Sequence, residues 1–202
     1  MQIDHPPNRV AVFGRSGSGK TTLAARYVSN LAARVRFLFD PEGEWSLRFK
    51  RRAANSPATL GAAVQSGWVI FDPSAMFGSD DETAARFFAR WAFLASEKIG
   101  GRKLLVVDEF QDHVRSGWMP DELRDVIRRG RRRGLDLLAI GQEPASCGAA
   151  LRRQLTSVFT FQTSDASDLE WLARYGFDPG AVRSLAQFRW ICRTIAGQET
   201  RG

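Results

Sequence analysis

The chain has 202 residues, of which 44% are hydrophobic and 25% charged, enough to bury a substantial core. Its two cysteines, Cys147 and Cys192, lie far apart without the spacing of a disulfide framework or a zinc site, which fits a reducing compartment. The net charge of +7 comes almost wholly from arginine, whose planar guanidinium suits phosphate backbones; an arginine-preferring genome gives the same composition.

No stretch approaches the roughly 20 apolar residues of a membrane span, and the segment from Met1 to Arg9 has no apolar run behind basic residues, so a soluble, unexported chain is expected. No Gly/Ser/Pro-rich tract separates two folding units and no internal repeat is present, which predicts one domain over 1–202.

In chain order, apolar or β-branched runs predict strands at 9–13, 35–40, 68–72, 104–108, 135–140, 158–162 and 188–194. Helical periodicity predicts helices at 20–33, 81–98, 120–132, 167–175 and 179–185, leaving 50–67 without a clear assignment. Pro120 or Asp121 opens the third helix, and Gly134 follows its basic last turn. This alternation is that of an α/β domain with a largely parallel sheet flanked by helices.

The run 9–13 leads into Gly14-Arg15-Ser16-Gly17-Ser18-Gly19-Lys20-Thr21, followed by Thr22 and a helix-favouring stretch. This is the phosphate-binding loop of P-loop NTPases in its proper strand-loop-helix setting. Its backbone N–H groups and the helix N-terminus wrap phosphate, Lys20 reaches the β and γ oxygens of ATP, and Thr21 offers a hydroxyl to Mg²⁺. The strand at 104–108 ends in Asp108-Glu109, two carboxylates that suit Mg²⁺ binding and orientation of an attacking water, respectively. A glutamate there points to hydrolysis rather than to a kinase.

The strand at 135–140 delivers Gln142 to the carboxyl edge, where ligands of open α/β sheets bind. Alone it is an ordinary turn glutamine; beside a phosphate loop it can bond the γ-phosphate or the water. Together with Pro144, and with the basic segment from Arg128 to Arg133 that stops at Gly134, it resembles the FtsK/HerA superfamily. The acidic turn from Asp40 to Trp45 and the ending from Val158 to Cys192 look like the same family, so the resemblance covers almost the whole chain.

That resemblance implies a P-loop NTPase fold of the RecA/FtsK-like ASCE class and an ATPase that moves double-stranded DNA. At this length the chain is most similar to genome-packaging ATPases of tailless, internal-membrane viruses, working as a pentameric or hexameric ring at a capsid vertex or membrane portal. Its place would be the host cytoplasm and the virion, or the cytoplasm of a cell if the chain is not viral. An arginine from the neighbouring subunit would complete each ATP site. Arg131 is the candidate within Arg128, Arg129, Arg131, Arg132 and Arg133, a cluster that reads equally as a helix end complementing its dipole or as a DNA-phosphate contact. Several motors of the superfamily place that arginine after the sixth strand, where this chain has Asp165 and Asp168.

Arg48, Lys50, Arg51, Arg52 and Arg115 are further candidates for phosphate-backbone contacts, or a solvated charge run. The six tryptophans read as core or subunit-interface residues, and His5 and His113 lack partner spacing for a metal or a general base. Two rivals remain: a small-molecule kinase, disfavoured by Asp108-Glu109 and by the lack of an arginine-rich lid, and an ATP-switched assembly or secretion factor acting on a protein.

Overall fold

The computed structural model describes residues 8–114 and 118–202. In chain order the first elements are β1 (Arg9–Phe13), α1 (Lys20–Asn30), β2 (Val35–Phe39), α2 (Glu44–Phe49), α3 (Pro57–Ala63), β3 (Trp68–Phe71) and α4 (Ser74–Phe77). Then follow α5 (Asp81–Lys98), β4 (Lys103–Val107), α6 (Phe110–His113), α7 (Asp121–Arg129), β5 (Leu135–Gly141) and α8 (Gly148–Arg152). The last are β6 (Ser157–Thr160), α9 (Ala166–Tyr175), α10 (Pro179–Arg183), β7 (Ile191–Thr194) and β8 (Glu199–Arg201).

The strands form one sheet in the order β3-β2-β4-β5-β1-β6-β7-β8. β2 runs parallel to β3 and β4, and β1 parallel to β6, while β6–β7 and β7–β8 are antiparallel. Strands β1, β4 and β5 are buried throughout, as expected of parallel strands covered on both faces. Among the described residues no helix is long and apolar enough to cross a membrane.

Contacts divide the described chain into two compact units, between which the chain passes more than once. One comprises Leu31–Asp108 and Pro120–Leu137. Its core is aromatic: Phe88 of α5 stacks on Phe71 of β3 at 5.0 Å between centroids and lies 6.3 Å from Phe39 of β2. The Asp80 side chain accepts from Thr83 N at 3.0 Å and starts α5, and two ion pairs, Arg86–Glu122 and Arg90–Asp125, join α5 to α7. The other unit comprises, of the described residues, 8–30, 109–114, 118–119 and 138–202, and Trp171 of α9 packs edge-on against Phe13 of β1 at 5.3 Å.

Several boundaries differ from the expectation for physical reasons. The unassigned stretch contains α3, whose start is a capping box: Ser56 Oγ accepts from Thr59 N, Thr59 Oγ1 accepts from Ser56 N, and Pro57 takes the first turn. The acidic turn is a helix start, because the Asp40 carboxylate accepts from Trp45 N and Ser46 N, both at 2.9 Å, and so opens α2. Pro120 sits at the cap of α7 rather than inside it, and the basic end tightens into a 3₁₀ turn over Gly130–Arg133. The final strand begins at Ile191, not at 188, and pairs with β8, an element whose three exposed residues carry no apolar signal.

At the start of β5 the fully buried Asp136 pairs with Arg102 at 2.6 Å. Beside it Lys103, 2% exposed, donates from Nζ to Ile99 O at 2.7 Å. Burial pushes the Lys103 ammonium below the usual lysine range, and the Asp136 carboxylate holds part of that shift back. Removing the acid would take the ion-pair partner from Arg102 and the compensating charge from Lys103, so Asp136→Ala is expected to destabilise the fold by about 3 kcal/mol in urea unfolding.

Candidate functional site

The phosphate loop grows out of β1, whose five buried residues end at Phe13. Gly14 N donates to Gly141 O at 3.2 Å and Ser18 N to Arg15 O at 3.2 Å, which close the loop before α1 begins at Lys20. Gly19 holds a left-handed backbone, φ 101°, which would strain any other residue. The first turn of α1 has no acidic side chain, leaving its positive end uncompensated, and Lys20 is 7% exposed at its start.

Ser18 Oγ is buried and has no hydrogen-bond partner, an arrangement that costs stability unless a ligand supplies one. The loop therefore fits a bound polyphosphate. Thr21, half-buried in the first turn, and Asp108, half-buried directly after β4, are hard oxygen donors of the kind Mg²⁺ takes.

Glu109 follows with a left-handed backbone, φ 41° and ψ 49°, uncommon for a residue with a long side chain. Its carboxylate is held between two amides: Gln111 Nε2 donates to Oε2 at 2.6 Å, and Gln142 Nε2 donates to Oε1 at 3.0 Å. The amides are themselves linked, since Gln111 Oε1 accepts from Gln142 N at 3.1 Å. Gly141 makes room for this, because a Cβ there would lie 2.6 Å from Gln111 Oε1. Gln111 was not among the expected site residues; it stands two positions after Glu109 in α6, a four-residue helix that has no periodicity to read.

A family model for the AAA domain matches residues 4–146, which takes in the phosphate loop, the acidic strand end and Gln142. The chain belongs to the AAA domain family. It is a P-loop ATPase. No curated protein matches this AAA domain in sequence.

Among solved structures, the genome packaging NTPase B204 from Sulfolobus turreted icosahedral virus 2, in complex with AMPPCP, is 20% identical, and the match covers 98% of this chain and 97% of that one at a TM-score of 0.76. The conjugation coupling protein TcpA of pCW3 is 15% identical, with 96% of this chain and 59% of that one covered at a TM-score of 0.59. The N-terminal domain of zonular occludens toxin from Neisseria meningitidis is 13% identical, with 98% and 94% covered at a TM-score of 0.51. At these identities the likeness is one of fold alone.

The arginine cluster of this AAA domain divides by partner. Arg129 pairs with Asp125, and Arg133 pairs with Glu97 at 3.1 Å while its guanidinium lies 3.8 Å from the Phe93 ring centre, so both are engaged within the chain. Arg128, Arg131 and Arg132 are exposed, Arg131 lying in the 3₁₀ turn before β5. Arg115 and His5 lie outside the described residues.

After the sixth strand, Asp165 caps α9 by accepting from Ser167 N and Asp168 N, and Asp168, 6% exposed, accepts from Ala145 N at 3.1 Å. Asp168 thereby anchors the turn that begins at Gln142. Burial pushes its carboxyl above the ordinary value of 3.8, the Ala145 N–H pulls it back, and Asp165 and Glu143 raise it further. A raised folded-state value means that the folded protein binds this proton more tightly than the unfolded chain. The stability it contributes is complete below the ordinary value and is lost as pH rises through the folded one. Asp168→Asn keeps an acceptor for Ala145 N without the charge, so its stability relative to wild type should rise as pH increases from the ordinary value of 3.8 through the raised folded-state one, as read by urea unfolding.

Proposed function

We propose that this AAA domain is a single motor domain that hydrolyses ATP to translocate double-stranded DNA, acting as a ring of identical subunits in packaging a viral genome. The observation that carries the hydrolytic part is the clamp of Glu109 between Gln111 and Gln142. A carboxylate held on both oxygens keeps a fixed orientation and still has a lone pair with which to take a proton from an attacking water.

On this reading the backbone of Gly14 to Thr22 and the Lys20 ammonium bind the phosphates of ATP. Thr21 and Asp108 would hold Mg²⁺, which would supply charge neutralisation at the phosphates. Water forms the new bond to the γ-phosphorus, the bond to the ADP oxygen breaks, and Glu109 takes the proton. Gln142, tied at once to Glu109 and to the turn anchored by Asp168, relays the presence of the γ-phosphate to α9. An exposed arginine supplied in trans, Arg131 being the candidate, completes the site.

The DNA part rests on the fold likeness to the packaging NTPase B204, which spans nearly the full length of both chains, and on exposed positive charge. Arg48, Lys50, Arg51 and Arg52 are all exposed at the end of α2, and Arg51 lies 4.7 Å from the Trp68 ring centre. Such cations follow a phosphate backbone without reading its sequence. Vertex or portal proteins of the capsid are the partners this role requires, with the host cytoplasm and virion as its setting.

The test is ATP hydrolysis with and without linear double-stranded DNA at low and physiological salt. Stimulation by DNA is expected, weakening as salt rises, together with a ring mass in the presence of an ATP analogue. Glu109→Gln is expected to lower turnover by roughly 100-fold or more while retaining nucleotide binding. Hydrolysis indifferent to DNA but responsive to a protein partner would favour the assembly or secretion reading instead.

A further inference from the structure

Phe188 breaks a local rule. Arg189 N donates to Ala186 O at 3.0 Å, closing a four-residue turn in which Phe188 holds the third position with φ 64°. That position and sign of φ favour glycine, and a bulky side chain there is strained. Phe188 is also 61% exposed, so burial within the described fold does not compensate for the strain. Backbone strain kept without a packing reason points to function.

What Phe188 stands beside gives that function its chemistry. A Cβ on Gly19, the last glycine of the phosphate loop, would lie 3.5 Å from Phe188 Cδ1 and 3.5 Å from Phe161 Cε1. Phe161 is buried, so its ring supports the loop from within while Phe188 stands at the rim. Between them opens a cleft of about 360 Å³, walled by Arg15 and Ser16 of the loop, by Phe161, Gln162 and Phe188, and by Arg189. The Gln162 amide is already oriented, accepting from Arg15 Nη2 at 3.2 Å and donating to Arg183 O at 3.1 Å.

We propose that this cleft takes the base and ribose of the nucleoside triphosphate, with the Phe188 ring as the surface on which the base stacks. The inference rests on the ATPase reading above and extends it from the phosphates to the nucleoside. An aromatic face beside a phosphate cradle meets the two halves of a nucleotide, and stacking tolerates any base because every base has a π face.

The experiment is calorimetric titration with MgATP and, separately, with magnesium tripolyphosphate, for wild type, Phe188→Ala, Phe188→Leu and Phe188→Trp. Expected is a roughly 5- to 100-fold weaker Kd for ATP in Phe188→Ala and Phe188→Leu, no change for tripolyphosphate, and recovery of ATP affinity in Phe188→Trp. Unchanged ATP affinity in the Ala and Leu variants, with or without a change in oligomeric mass, overturns the assignment. Equal weakening of both ligands also overturns it, since Phe188 would then only be shaping the loop. If wild type binds neither ligand, the ATPase reading fails and this inference with it; if wild type binds tripolyphosphate and ATP equally, only the base site is refuted.

Discussion

The chemistry proposed for this AAA domain depends on keeping one carboxylate still. Glu109 follows the strand end in a left-handed backbone conformation, and its two oxygens accept from Gln111 and Gln142. The arrangement needs three separate concessions from the sequence: a strained backbone at position 109, an amide two residues on, and a glycine at 141 that leaves room for it. Each is unfavourable or neutral for folding alone, and together they make sense as preorganisation, in which the geometry of the reacting group is set before substrate arrives.

Around that point short hydrogen-bonded steps connect Glu109 to the rest of its unit. Gln142 touches Glu109, the turn after it is held by Asp168 through Ala145 N, and Asp168 belongs to α9, whose Trp171 packs against Phe13 at the base of the phosphate loop. The circuit leaves the loop and returns to it. Asp168 is a buried acid whose proton affinity is raised by that burial, and it stands between the Gln142 turn and α9.

Much of this was legible in the sequence, for identifiable reasons. The phosphate loop is a contiguous motif whose glycines, lysine and threonine have independent physical roles, and the strands β1, β4 and β5 are apolar runs that read clearly because they are buried on both faces. Gln111 was not legible, because α6 is four residues long and an amide in it looks like any surface residue until Gly141 is seen beside it. Phe188 was assigned to a strand on its apolar character, and only the left-handed φ at that position shows that it belongs to a turn and faces out. Asp40 reads as part of an acidic turn in the sequence and proves to cap a helix, since a carboxylate three residues before a glycine does not reveal which N–H groups it will meet. β8 has only exposed polar residues and owes its existence to pairing with β7, a tertiary fact.

The most direct measurement is a comparison of nucleotide binding with single-turnover hydrolysis in Gln111→Ala. Removing one amide of the clamp leaves the phosphate loop, Lys20 and Asp108 in place while freeing the Glu109 carboxylate to rotate. The account predicts an ATP affinity within about twofold of wild type and a hydrolysis rate lower by roughly 10- to 100-fold, the scale of a mispositioned catalytic group. An unchanged rate would contradict it, because Glu109 would then need no clamp.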